Sequence, residues 1–122
     1  MAIPSRLLGS GLSPLAATNI CGDVADSLTA AGSSNTDALA LSAAINRVTT
    51  TAASTGVRLM LPEVGSAVVV INSGANALLV YPGTGAQINA LTASTGGFSV
   101  AAGGRALFVG TSSTNWFAIL SA

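Results

Sequence analysis

The stretch Ala67-Val68-Val69-Val70-Ile71-Asn72-Ser73-Gly74-Ala75-Asn76-Ala77-Leu78-Leu79-Val80-Tyr81-Pro82-Gly83 decides the fold class. Its first run, Ala67 to Ile71, is apolar and mostly β-branched. Such side chains are stiff at χ1 and suit a pleated surface better than a helix. The run is far shorter than the roughly 20 apolar residues a membrane helix needs. Asn72 to Asn76 reads as a turn, because Asn and Ser can bond their own backbone and Gly74 can take positive φ. Ala77 to Tyr81 is then a second strand, closed by Pro82-Gly83.

The same alternation of short apolar runs and breakers continues towards the C-terminus. Gln87-Ile88-Asn89 is a short extended piece, and Phe98-Ser99-Val100 is a strand followed by an Ala101–Gly104 turn. Arg105 to Gly110 is a strand, Thr111 to Asn115 a polar turn, and Trp116 to Leu120 the last strand. Strands at this spacing predict a mainly β domain, an antiparallel sandwich or barrel built of hairpins. No repeat stands out, which disfavours a solenoid. Because strand side chains alternate, Trp116 and Phe117 face opposite ways. The reading puts Phe117 in the core with Phe98 and Phe108, and Trp116 outside as an interface anchor. Tyr81 is a second candidate for a partner interface, and Trp116 and Tyr81 are also the candidates for stacking on a sugar.

Towards the N-terminus, Gly56 to Pro62 reads as a strand with Val57, Leu59 and Leu61 on one face. The spacing of Leu41, Ile45 and Val48, with Asp37 ahead of them, suits at most one short helix over 37–46. Val48-Thr49-Thr50-Thr51 favours a strand instead. Residues 1–22 predict an extended arm, since Pro4, Gly9, Gly11, Pro14 and Gly22 interrupt any regular element. Ile3, Arg6, Leu7, Leu8, Leu12 and Leu15 on this arm are candidate partner contacts. The organisation expected is an arm over 1–22 and a single β domain over 23–122.

Composition narrows the function. The chain of 122 residues is 50% hydrophobic but only 7% charged, against about 25% charged in an average soluble domain. It has no His and no Lys, and its four Arg are balanced by four acids. A neutral chain makes no phosphate-neutralising patch, so nucleic-acid binding is not expected. No apolar run is long enough for a membrane helix, and the N-terminus does not read as a signal peptide. Cys21 stands alone, with no disulfide or CxxC partner, and no metal or cofactor is expected. Serines have no His or Lys to activate them, so no catalytic residue is assigned and an enzyme is not expected. So apolar and weakly charged a chain is expected to bury surface against other copies or a larger assembly.

The residues 69–89, with 98–109 and Asn115-Trp116-Phe117, resemble small β-modules of tailed-bacteriophage virion proteins. The likeness is greatest to capsid decoration, or cement, proteins. Leu28 to Gly32 and Gly56 to Pro62 are similar to the same type, so the resemblance spans about residues 26 to 121. It implies a structural protein on the virion surface, made in the host cytoplasm and binding the major capsid protein. It also implies a homo-oligomer, with a trimer the expected number, and docking through the N-terminal arm. A chain starting at Met1 suits a stand-alone decoration protein. The other reading is a head- or tail-fibre module that binds host glycan through Trp116 or Tyr81.

Overall fold

The computed structural model describes residues 3–121, without the side chains of residues 3, 4, 7 and 18–21. Among the described residues the chain is mainly β, and its two sheets form a sandwich-like body with no closed barrel. The strands are β1 Val24–Thr29, β2 Leu39–Ala40, β3 Ile45–Thr50, β4 Gly56–Arg58 and β5 Ala67–Asn72. They continue as β6 Leu78–Tyr81, β7 Gln87–Ile88, β8 Phe98–Val100, β9 Arg105–Gly110 and β10 Asn115–Leu120. The larger sheet has the order β1-β3-β5-β9-β10-β7 and the smaller β2-β4-β6-β8.

The first six strands alternate between the sheets. β1, β3 and β5 are parallel neighbours in one, and β2, β4 and β6 are parallel neighbours in the other. The chain therefore winds as a coil of about 20 residues per turn, the size of a solenoid repeat. Only then do β8, β9 and β10 add antiparallel neighbours. The expected mainly β, sandwich-like fold is present, and within it the antiparallel pairing expected throughout the hairpins is replaced by parallel pairing in the first six strands. Turn residues mark where a strand ends, but the direction of the next strand depends on which sheet it enters. The coil left no visible repeat because so few turns need no shared side-chain motif.

The core lies between the sheets. Val48, Val68, Val70, Phe108 and Trp116 of the larger sheet meet Val57, Leu78, Val80 and Val100 of the smaller. Phe98 and Phe108 join the layers edge to face, with ring centroids 5.6 Å apart, a favoured aromatic geometry. Asn72, at the end of β5, is fully buried and accepts hydrogen bonds from the Thr51 hydroxyl (2.9 Å) and the Gly74 amide (3.0 Å). Gly74 is required for space rather than for positive φ, because a Cβ there would fall on the Thr51 side chain.

Two local expectations are overturned. Residues 37–46 form no helix: they hold a turn, β2 and the start of β3. Asp37 bonds backwards, its Oδ1 accepting from the Ser33 amide (3.1 Å), the Ser34 amide (2.8 Å) and the Ser34 hydroxyl (2.8 Å). A carboxylate that caps its own preceding loop competes with helix initiation. The arm over 1–22 is not extended either. It folds into α1 Ile3–Gly9 and α2 Pro14–Cys21. Pro at a helix start and Gly just past its end are the favoured placements. Pro14 opens α2 behind the Ser13 cap, whose hydroxyl accepts from the Ala16 amide at 3.2 Å. Gly11 and Gly22, both at φ +96°, follow the two helix ends. The residues read as breakers punctuate two helices.

The capped loop predicts acid sensitivity. Hydrogen bonds from the Ser34 hydroxyl, then from backbone amides, hold the Asp37 carboxyl below its ordinary range. The Ser27 amide, then Arg47, does the same for Asp26. A carboxylate with a lowered folded pKa adds stability above its unfolded pKa and loses it as pH falls through the folded value. The wild-type denaturant midpoint should therefore fall below about pH 4. Asp37→Asn should lower the midpoint at neutral pH and flatten, without abolishing, that acid slope. An unchanged slope in the variant would show that Asp37 contributes none of it.

Candidate functional site

The outer face of the larger sheet is the distinctive surface. In most two-layer β proteins this face alternates to polar. Here the outward residues are apolar across strand after strand. Register places Val24 opposite Ile45, Ile45 opposite Val69, Val69 opposite Leu107 and Leu107 opposite Ile119. That is one apolar row across five strands. A second row, Ala67–Val109–Phe117, lies beside it, and Ile71 borders it on the other side. Val24, Phe117 and Ile119 are exposed (60%, 47% and 62%), and Ile45, Val69, Leu107 and Val109 are half-buried. A shallow groove of about 240 Å³ runs along Val69, Leu107, Ile119 and Leu120.

Charge is confined to one border. Arg47 lies opposite Ile71, and its Nη1 reaches Asp26 Oδ1 at 3.0 Å. Arg105 also lies opposite Ile71, on the other neighbouring strand. The ion pair is half exposed and contributes little to stability, but it keeps the border near neutral. The apolar rows themselves carry no charged residue.

Elsewhere the chemistry is sparse. A groove of about 600 Å³ is lined by Asp23, Glu63, Ser42 and Ser66, with Met60, Leu61 and alanines. It offers carboxylates and hydroxyls without a His or Lys beside them. Among the described residues no group of three or more His, Cys, Asp or Glu comes together. No described helix is long and apolar enough to cross a membrane.

The candidates read from the sequence divide clearly. On the arm, Arg6, Leu8 and Leu15 are exposed and Leu12 is half-buried. The side chains of Ile3 and Leu7 lie outside the described residues. Trp116 and Tyr81 are not on the surface. Trp116 is fully buried, with Nε1 donating to the Met60 carbonyl at 3.2 Å. Tyr81 is 6% exposed, and its hydroxyl donates to the Ser33 carbonyl at 2.9 Å. Neither ring face is offered to a sugar or a partner. The parity of β10 is the reverse of that expected: Trp116 and Ala118 face in, Phe117 and Ile119 face out. Both alternating sets are bulky and apolar, so alternation alone could not choose between them.

The sequence did hold a signal for the outer face. The runs 67–71, 106–109 and 116–120 are apolar at every position. Uninterrupted runs belong to strands covered on both sides, whereas one covering sheet is present here. Comparisons with protein-family models, with curated proteins and with solved structures each find no match.

Proposed function

We propose that the chain is a structural assembly subunit whose sheet face is covered by protein in its working state. The specific role we propose is a bacteriophage capsid decoration protein, with the major capsid protein and other copies of itself as partners. The observation that carries this reading is the unbroken row Val24–Ile45–Val69–Leu107–Ile119. Contiguous apolar patches of several hundred Å² are uncommon on monomers and mark interaction sites. Covering such a face contributes roughly 25 cal/mol per Å² of apolar area removed from water. Contacts of this kind change little with salt, because no exposed charge pairs are screened. The near absence of acid–base groups supports the same reading, since a cementing subunit needs binding free energy and no chemistry.

Leu107→Glu is the direct test, because it puts a charge at the centre of the row. The residue is half-buried and outward-facing, so the fold should survive with an unchanged circular dichroism spectrum. Binding to capsids in co-sedimentation, and self-association, should each weaken about tenfold or more, as expected for desolvating an unpaired charge. A folded Leu107→Glu chain that binds and associates like the wild type would overturn the proposal.

A further inference from the structure

The apolar face needs an occupant, and the arm needs a site. α1 and α2 are seven and eight residues long. Isolated helices shorter than about 12–15 residues are marginal in water and rely on packing. Among the described residues these two pack on each other, and their contacts with the strands are slight. The pair nevertheless leaves Leu8 and Leu15 exposed, at 46% and 72%. A helical pair with apolar side chains left over and a sheet face with no cover complement each other.

Resting on the assembly reading above, we infer that the α1–α2 pair of one copy docks on the outer face of the larger sheet of a second copy. Dimensions agree. Five strands about 4.8 Å apart span roughly 19 Å. Two short helices side by side, about 10 Å between axes and about 12 Å long, cover that width. Charge agrees too. Arg6 is the sole charged residue in 1–22, the apolar rows have none, and Arg105 is the one charged side chain among the described residues that line the groove.

The exit of the arm favours a second copy over the same chain. Gly22, at φ +96°, sits so close to Ile45 that an added Cβ would lie 3.1 Å from its Cδ1. The chain thus leaves from one end of the row at a fixed point. Among the described residues the helices pack on each other, and a groove stays open along Val69, Leu107 and Ile119. The exposed Leu15 then fills the groove along Leu107 and Ile119 of a neighbour.

Two measurements test this. Light scattering should give an oligomer for the wild type and a monomer for the chain lacking residues 1–22. The truncated β body should keep its strand circular dichroism, because among the described residues its buried core cluster holds none from 1–22. In a Cys21→Ser background, a Leu15→Cys chain and an Ile119→Cys chain should couple to each other through a short bis-maleimide. An unchanged mass after truncation, a monomeric wild type, or coupling only within one chain when both cysteines are present would overturn the inference. These outcomes are separable from the capsid reading. Oligomers that exchange arms yet ignore capsids would sink that reading alone. Capsid binding by a chain whose mass ignores truncation would sink the exchange alone.

Discussion

Trp116→Ala should remove about 3–5 kcal/mol of folding stability, the range for truncating a large buried aromatic. The ring is fully buried between the sheets. Alanine would leave a cavity among Phe108, Ile88 and the valines of both layers, in a core that cannot fully collapse around it. The loss also strands the Met60 carbonyl, which accepts the Trp116 Nε1 hydrogen at 3.2 Å. A domain of this size has about 5–15 kcal/mol in all, so the loss is a large fraction of the total and the urea midpoint should fall sharply. Phe117→Ala, one residue along, should cost less than about 1 kcal/mol, as expected of an exposed position. Urea denaturation of the two variants decides the parity of β10. A larger loss at Phe117 than at Trp116 would mean that β10 presents its other face to the core.

The same pair of residues marks the limit of what could be read from the chain. Strand positions were legible because their causes are local. Ser73-Gly74, Pro82-Gly83 and Gly103-Gly104 interrupt strands by turn chemistry, and the observed β5, β6, β8 and β9 end or begin beside them. Direction and pairing were not legible. Nothing near Asp37 says that Leu39 enters the second sheet and that Ile45 returns beside Val24. That choice comes from packing across the sandwich, not from any one turn. The arm misled for a related reason. Pro and Gly read as breakers wherever they fall, but Pro14 behind Ser13 and Gly22 after Cys21 bound a helix. The outer face was half legible. Apolar runs with no polar alternate were visible, but only the register lines Val69, Leu107 and Ile119 into one row.

Asn72 extends this point from packing to polar groups. In the sequence it is one turn residue among several. In the structure it is the junction between the sheets. Its Nδ2 donates to the carbonyls of Asn76 (2.8 Å), Val100 (3.0 Å) and Ala101 (3.2 Å). Its Oδ1 accepts from Thr51 and Gly74, and Asn76 Nδ2 closes the set on the Thr51 carbonyl at 2.9 Å. β5, β8 and the chain after β3 are thus tied at one side chain. Removing one partner from a buried network costs far more than the net value of a hydrogen bond, because the groups left behind lose water as well. Asn72→Ala should therefore cost about 3–5 kcal/mol, in the class of broken buried networks.

Asn72→Asp separates the donor role from the space the side chain fills. The substitution keeps the acceptor and the shape, but an ionised carboxylate would face three carbonyls with no hydrogen to give. Burial and those carbonyls raise the folded pKa of the new acid above its unfolded value of about 3.9. The penalty is then absent below the unfolded pKa and complete above the folded one. The stability gap between Asn72→Asp and the wild type should accordingly be wide at pH 8 and narrow at pH 5. Taking the gap rather than the variant alone removes the acid slope of Asp26 and Asp37, which both chains share. A gap independent of pH, or an Asn72→Ala chain as stable as the wild type, would show that the two sheets are held without this junction.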